Sequence, residues 1–442
     1  MLIGIGPDLR IVDGQGNRQP FPTAAAFSYF FHEFAHYLHN ISTVSGIAAF
    51  INTIELWRCF RSTVGAAGHG EGSAQLGHEH QDHLRRLMAY LIAARRNHTP
   101  TLSEIYSPQS LVVSTVRAET EVGGAGENLL TTLVCDAKVA DRGGQAETLS
   151  IHLGTLELLE GAAWLLEKRT VSAVNPQEIA SPPPIFPYHV AQAVAEYAAP
   201  GLSEDGVLAC ILASLQSSDA PAAFQETLAI ARQAVQKGQD PVLTLRARAQ
   251  VVIKENEQQL RSAFGALEKE FSGNGIMAVT VRQIIDTARL GFSKRRADPF
   301  FELEIIRKLG DRSLSIDALL SEMPCAVLQR NNGHPDQVGR DFLLSFRPNA
   351  ETATADPESG LRVIHSIFDY INRHRRTDGL LPTREARTGP CPFYTCCALP
   401  LRQDQPAICE KTPWEAVDWP RWDEKAGGCW YATGVRITRP PT

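Results

Sequence analysis

The stretch TAAAFSYFFHEFAHYLHNIS, residues 23–42, governs the reading of this chain. Phe27, Phe30, Phe31, Phe34, Ala35 and Leu38 recur at helical spacing around most of the circumference, which predicts a helix buried on most sides. Pro20 and Pro22 precede it, and Thr23 offers the hydroxyl of an N-cap. Within this greasy helix stand His32, Glu33 and His36. The two histidines are one turn apart, so both imidazoles project from one face. That spacing lets two neutral ring nitrogens reach one Zn²⁺ at about 2.0–2.1 Å. Glu33 points to a neighbouring part of the surface, where its carboxylate can take a proton from metal-bound water. Three adjacent ionisable groups on an apolar helix need partners, and a metal supplies one.

Outward from this helix the pattern is α+β. LIGIGPDLRIVDGQG (residues 2–16) alternates and carries Gly-Pro and Asp-Gly turn signals, predicting a hairpin or paired strands over residues 1–20. A break at Ser42–Gly46 precedes a second helix over Ile47–Phe60. The Gly- and His-rich segment 65–83 reads as a surface loop, with His69, His78, His80 and His83 solvated, and an Arg-rich helix follows over His83–Asn97. Val-, Thr- and Leu-rich segments across residues 110–151, separated by Gly-rich turns, predict the strands of a small sheet. A helix is expected from Thr155 to about Lys168, and the proline-rich segment 175–188 (NPQEIASPPPIFPY) marks a boundary or lid. Residues 189–330 read as mostly helical. Residues 331–442 combine a helix at Gly360–Arg375 with a loop-rich, Cys-containing tail. The organisation expected is therefore 1–175, 189–330 and 331–442, in line with about one domain per ~150 residues for a chain of 442.

Catalytic zinc keeps three protein ligands and one open position, so a third ligand must be found. Tyr37-Leu38-His39-Asn40 follows His36, which is not the metzincin continuation, and a Glu on a second helix is expected instead. Glu160, in LLEGAAWLLE (158–167), is the favoured candidate. The small residues after it let helices approach closely, and it shares a face with Leu153, Leu156 and Ala163. Glu55 is the alternative, although bulky Leu56 and Trp57 follow it. Glu157 reads as an ordinary surface carboxylate. His39 lies on the His32–His36 face as a ligand-supporting residue, a surrogate ligand or a polar edge residue. His152, Tyr188 and His189 are candidate donors to a developing oxyanion.

HEFAHYLHNIST (32–43) followed by LLEGAAWLLE resembles bacterial gluzincin-type zinc metallopeptidases over roughly residues 20–170. The resemblance implies a zincin-like metallopeptidase core with a small antiparallel sheet. It also implies Zn²⁺ held by His32, His36 and Glu160, Glu33 as general base, and a protein or peptide substrate. Glu55 matches the shorter spacing of thermolysin-like and aminopeptidase gluzincins. The long insertion between His36 and Glu160 departs from that compact spacing and keeps Glu55 open as third ligand.

Five of the nine cysteines fall in the tail, at Cys391, Cys396, Cys397, Cys409 and Cys429. A second, structural metal on Cys391, Cys396, Cys397 and Cys409 competes there with buried free thiols, since no C-x-x-C pair is present. Cys59, Cys135, Cys210 and Cys325 read as core residues. The odd cysteine count suits a reducing compartment. The N-terminus carries no secretion signal, and the longest apolar run, Val207–Ala213, is far short of a membrane span. With 43 basic against 49 acidic residues, net −6, no nucleic-acid partner is expected. The expectation is a cytoplasmic zinc metallopeptidase. The alternatives are a non-catalytic zincin-like regulatory or scaffold protein that binds a protein partner, and metal-assisted hydrolysis of a non-peptide amide.

Overall fold

The aromatic stretch forms the helix its spacing predicts. The structure, a computed structural model, describes residues 2–5, 24–65, 69–94, 108–122, 128–141, 146–177, 180, 182–273, 275–314, 318–319, 322–323, 327–330, 341–343, 357–376, 379–394, 397, 399–418 and 428–439. Helix α1 spans Ala24–Ser42 and buries Phe30, Phe31, Phe34, Ala35, Tyr37 and Leu38. The expected cap, Thr23, lies outside the described residues. A single extended residue, Thr43, separates α1 from α2 (Val44–Arg61), and its Oγ1 accepts the Gly46 N–H at 3.1 Å. That satisfies one of the orphan donors at the start of α2.

Helix α3 spans His78–Ala94, so part of the expected His-rich loop is helical. His78, His80 and His83 sit in its first turns, because polar side chains do not break a helix, whereas Gly77 just before it does. Strands β2 (Pro108–Val122), β3 (Asn128–Asp141) and β4 (Ala146–Leu153) form an antiparallel sheet in that order. Leu133, Cys135, Ala137 and Val139 alternate along β3 and are fully buried, beside Ile151 and Leu153 of β4. One face of the sheet thus joins the core, as alternation on an antiparallel sheet requires.

Helix α4 (Thr155–Val174) follows. Glu157, expected on the surface, is buried, and its carboxylate accepts the Gly154 N–H at 2.7 Å. It closes the first turn of α4, which explains its burial. Then come α5 (Ile185–Tyr188), α6 (Val190–Ala198), α7 (Glu204–Ser214), α8 (Ala220–Gln236), α9 (Pro241–Glu270), α10 (Ile276–Ala297) and α11 (Phe301–Gly310). Side chains of Ser203, Asp219 and Asp240 cap α7, α8 and α9. The remaining elements are α12 (Pro357–His374), α13 (Pro400–Asp404), α14 (Pro406–Lys411) and α15 (Trp430–Ile437).

Of the hairpin or paired strands expected over residues 1–20, residues 2–5 are described. Strand β1 (Leu2–Ile5) pairs in parallel with β5 (Val327–Arg330), which in turn pairs antiparallel with β6 (Asp341–Leu343). The partner is remote in sequence, a pairing that turn signals cannot reveal, and residues 6–20 lie outside the described set. Coarsely, the described chain is mostly helical with small sheets, an α+β arrangement.

Two apolar clusters meet along α1 and α2. One joins the inner face of α1, the β2–β3–β4 sheet, α4, α7 and α8, and the other joins α2, α3, α10, α12 and α15. Helix α10 crosses the end of α1 so closely that a Cβ at Gly291 would lie 2.8 Å from the Ile41 carbonyl oxygen. Cys59, Cys135 and Cys210 are buried as expected, and Cys325 lies outside the described residues. No helix among the described residues is long and apolar enough to cross a membrane.

Candidate metal centre

Helices α1 and α4 lie side by side and bring together residues more than a hundred positions apart. His32 Nε2 lies 3.4 Å from Glu160 Oε2, and His36 Nε2 lies 3.3 Å from the same oxygen. The two imidazole rings stand 4.9 Å apart, nearly perpendicular at 81°. A tetrahedron of ligands about 2.05 Å from a central ion has edges of about 3.3 Å. The two nitrogen–oxygen separations have that length, and the three ligand atoms all lie within 4.8 Å of one another, a group that could hold a metal ion.

The sequence after Glu160 explains how the helices fit. Ala162 and Ala163 are fully buried. A Cβ at Gly161 would lie 3.3 Å from the Ala191 side chain and 3.5 Å from the Tyr188 carbonyl oxygen. The small residues thus admit α5 and α6 against α4, and that approach sets Tyr188 beside the histidines.

Glu167, two turns beyond Glu160, was not singled out in the sequence. Its Oε2 lies 3.0 Å from His32 Nδ1, and its Oε1 accepts the Ser28 hydroxyl at 3.2 Å. Ser28, His32 and Glu167 are all buried. For Nε2 to face a metal, the ring proton must sit on Nδ1, and Glu167 is the acceptor that holds it there. The signal lay in two spacings: Glu160 and Glu167 stand seven residues apart on one face of α4, and Ser28 stands one turn before His32.

The electrostatics are those of a cation site. Burial alone would lower the His32 pKa, but hydrogen bonds and charge from Glu160 and Glu167 outweigh it and raise it to about 9. Burial would raise Glu160, yet His32 and His36 pull it down to about 2. The two carboxylates thus favour positive charge on the imidazole they flank.

Other residues fall into place around this group. Glu33 is exposed on α1. The Tyr188 ring meets His32 edge-on at 5.7 Å. Burial first, then the charges of Glu160, Glu33 and Glu167, raise its pKa, which keeps the phenol a proton donor. His189 packs edge-on against Trp164 instead, at 5.9 Å, and His152 lies on β4 opposite Val134. His39 is fully buried with Nε2 3.3 Å from Glu302 Oε1. Its pKa is lowered, chiefly by burial. Glu302 also pairs with the buried guanidinium of Arg295, which donates to Ser42 Oγ at 2.8 Å. His39 thus belongs to a neighbouring polar knot that ties α1 to α10 and α11.

Glu55 sits elsewhere. On α2 its carboxylate accepts from Arg58 Nη1 at 2.7 Å and lies 3.1 Å from His83 Nε2. With Cys59 it forms a second group whose ligand atoms lie within 4.8 Å of one another. The turn at Thr43 carries α2 away from the His32–His36 pair. An apolar cavity of about 290 Å³, lined by Tyr37, Ile41, Phe50, Ile284 and Phe368 among others, includes none of His32, His36 and Glu160.

No family model, curated protein or solved structure matches the chain. Function is therefore argued from the site.

Proposed function

We propose that the chain is a zinc-dependent metallopeptidase of gluzincin type, with His32, His36 and Glu160 as the protein ligands of one Zn²⁺. The reading rests on the 3.3 and 3.4 Å spacings between the two Nε2 atoms and Glu160 Oε2, the edge lengths of a zinc tetrahedron. Glu167 supports it, because a ligating imidazole needs an acceptor on its far nitrogen. A Zn²⁺ bound there supplies a Lewis acid and lowers the pKa of water.

The chain's own residues divide the remaining work. Glu33, next to His32 and exposed, takes the proton of the attacking water and returns it to the leaving amine. Tyr188, held against His32, donates its phenol proton to the oxygen that becomes negative as the scissile carbonyl is attacked. Glu167 and Ser28 keep His32 in one tautomer and one orientation. The substrate class is a peptide or protein within the cell, and α1, α4 and the sheet constitute the zincin-like core.

Glu33→Gln tests the proposal on denatured casein and a mixed peptide library. It is expected to keep its zinc and lose cleavage by at least about 10²-fold. Zinc retention with no cleavage by either the variant or the parent would instead favour the non-catalytic binding module.

A further inference from the structure

Helices α2 and α3 carry a second set of metal-type donors, away from α1 and α4. Glu55 and Cys59 stand one turn apart on α2, so they share a face, and His83 meets that face from α3. Ile54, Cys59 and Phe60 of α2 pack in one apolar cluster with Leu84, Leu87, Met88 and Leu91 of α3. The two backbones that bear the three side chains are thereby fixed against each other, as a ligand set requires. The cysteines of the tail are not so placed. Cys396 lies outside the described residues, and Cys391, Cys397 and Cys409 form no group of three ligand atoms within 4.8 Å of one another.

Glu55 Oε1 lies 3.1 Å from His83 Nε2, and Cys59 Sγ completes a trio whose ligand atoms all lie within 4.8 Å of one another. Bonds of about 2.05 Å to nitrogen and oxygen and about 2.3 Å to sulfur give a tetrahedral nitrogen–oxygen edge of about 3.3 Å and edges to sulfur of about 3.6 Å. The first edge is met within a few tenths of an ångström. The others need a closure of about 1 Å at most, which rotation of the half-exposed Glu55 and His83 side chains supplies. The second carboxylate oxygen, Glu55 Oε2, accepts from Arg58 Nη1 at 2.7 Å, and Arg58 Nε lies 3.2 Å from Glu270 Oε1 on α9. Arg58 thus holds the carboxylate from behind and leaves Oε1 toward the imidazole, the outer support that ligating carboxylates have.

We propose that Glu55, Cys59 and His83 bind a divalent cation of the Zn²⁺ class, a second ion that clamps α3 to α2. Thiolate and imidazole suit such a cation, whereas Mg²⁺ and Ca²⁺ take oxygen ligands. Binding forms one bond each to sulfur, nitrogen and oxygen. It releases the Cys59 thiol proton to solvent, and the imidazole binds in its neutral form. The thiolate and the carboxylate cancel the charge of the ion, so the centre is neutral. Water takes the fourth position, reaching it past Glu55 and His83, which are both partly exposed. A bare ion pair between Glu55 and His83 would account for the 3.1 Å contact but would leave the thiol beside it unused.

The probe is Co²⁺, added to the full chain after its metal has been stripped. A cobalt–thiolate bond gives an intense near-ultraviolet charge-transfer band, which His32, His36 and Glu160, having no sulfur, do not produce. The band is expected to saturate at about one thiolate-bound Co²⁺ per chain, to persist in His36→Ala, and to bleach when Zn²⁺ displaces the cobalt. Cys59→Ser and His83→Ala should each abolish it. His83 is partly exposed, so its variant decides should the buried Cys59 variant fail to fold. Zn²⁺ should also raise the melting temperature of His36→Ala, and not that of the chain carrying His36→Ala and His83→Ala together. Absence of the sulfur band from the unaltered chain, or a band that survives either Cys59→Ser or His83→Ala, would overturn the proposal. The band together with no metal at His32, His36 and Glu160 would instead remove the peptidase reading and leave this second ion in place.

Discussion

Glu167 is the residue whose removal reports most on how the site is built. Its Oε2 lies 3.0 Å from His32 Nδ1 inside a buried pocket, and it shares with Glu160 the work of raising the His32 pKa to about 9. Two consequences of Glu167→Ala can be separated by pH. Above about pH 9 His32 is deprotonated, and zinc affinity depends on the orientation and basicity of the ring. Loss of an acceptor behind a metal-binding histidine costs 10- to 100-fold, or about 1.4–2.7 kcal/mol. Below that pH zinc competes with the proton on His32. The dissociation constant of the parent protein should then worsen about tenfold per pH unit from 9 down toward 7. Without Glu167 one of the two carboxylates that raise His32 is gone, burial weighs more, and the break shifts to lower pH. Competition against a chelator of known affinity, measured from pH 6.5 to 9.5, gives both quantities. An affinity at pH 9.5 unchanged by Glu167→Ala, or a break that stays in place, would refute the role assigned to Glu167.

Further outcomes follow from the same geometry. Glu302→Gln leaves the buried Arg295 guanidinium without its counter-charge and should cost about 3–5 kcal/mol in urea unfolding. Arg295 and His39 outweigh the effect of burial and hold Glu302 near about 2, below its ordinary 4.5. Its contribution is therefore full above pH 4.5 and lost as pH falls toward 2, so the penalty of Glu302→Gln should shrink over that acid range. Gly161→Ala places a methyl 3.3 Å from Ala191 and 3.5 Å from the Tyr188 carbonyl. It should cost about 1 kcal/mol and lower kcat while zinc content stays the same. Tyr188→Phe should bind zinc as the parent does and lose kcat by about 10²-fold, which steady-state kinetics with a fluorogenic peptide will show.

How much of this was legible in the sequence depends on how local the cause was. Helix α1 could be read because Phe30, Phe31, Phe34 and Leu38 carry the period themselves. The β2–β3–β4 sheet could be read because alternation and Gly-rich turns are also local signals. His32 and His36 follow from a one-turn spacing, and Glu160 from the small residues behind it. What escaped were consequences of tertiary pairing. The start of α3 at His78 was hidden by polar residues that look like a loop yet fit a helix. The parallel pairing of β1 with β5 joins segments more than 300 positions apart in sequence. Glu157 looks exposed by composition but is spent on closing its own helix. His39 shares a helical face with the two candidate ligands, but its surroundings come from α10 and α11, through Arg295 and Glu302. Glu167 is marked in the sequence by its seven-residue spacing from Glu160, which puts both carboxylates on one face of α4.

Anomalous diffraction at the zinc edge, on crystals of the full chain, tests the central claim most directly. The account predicts a peak about 2.0–2.2 Å from each of His32 Nε2, His36 Nε2 and Glu160 Oε2. Zinc bound instead by Glu55, Cys59 and His83, with no density between α1 and α4, would contradict it.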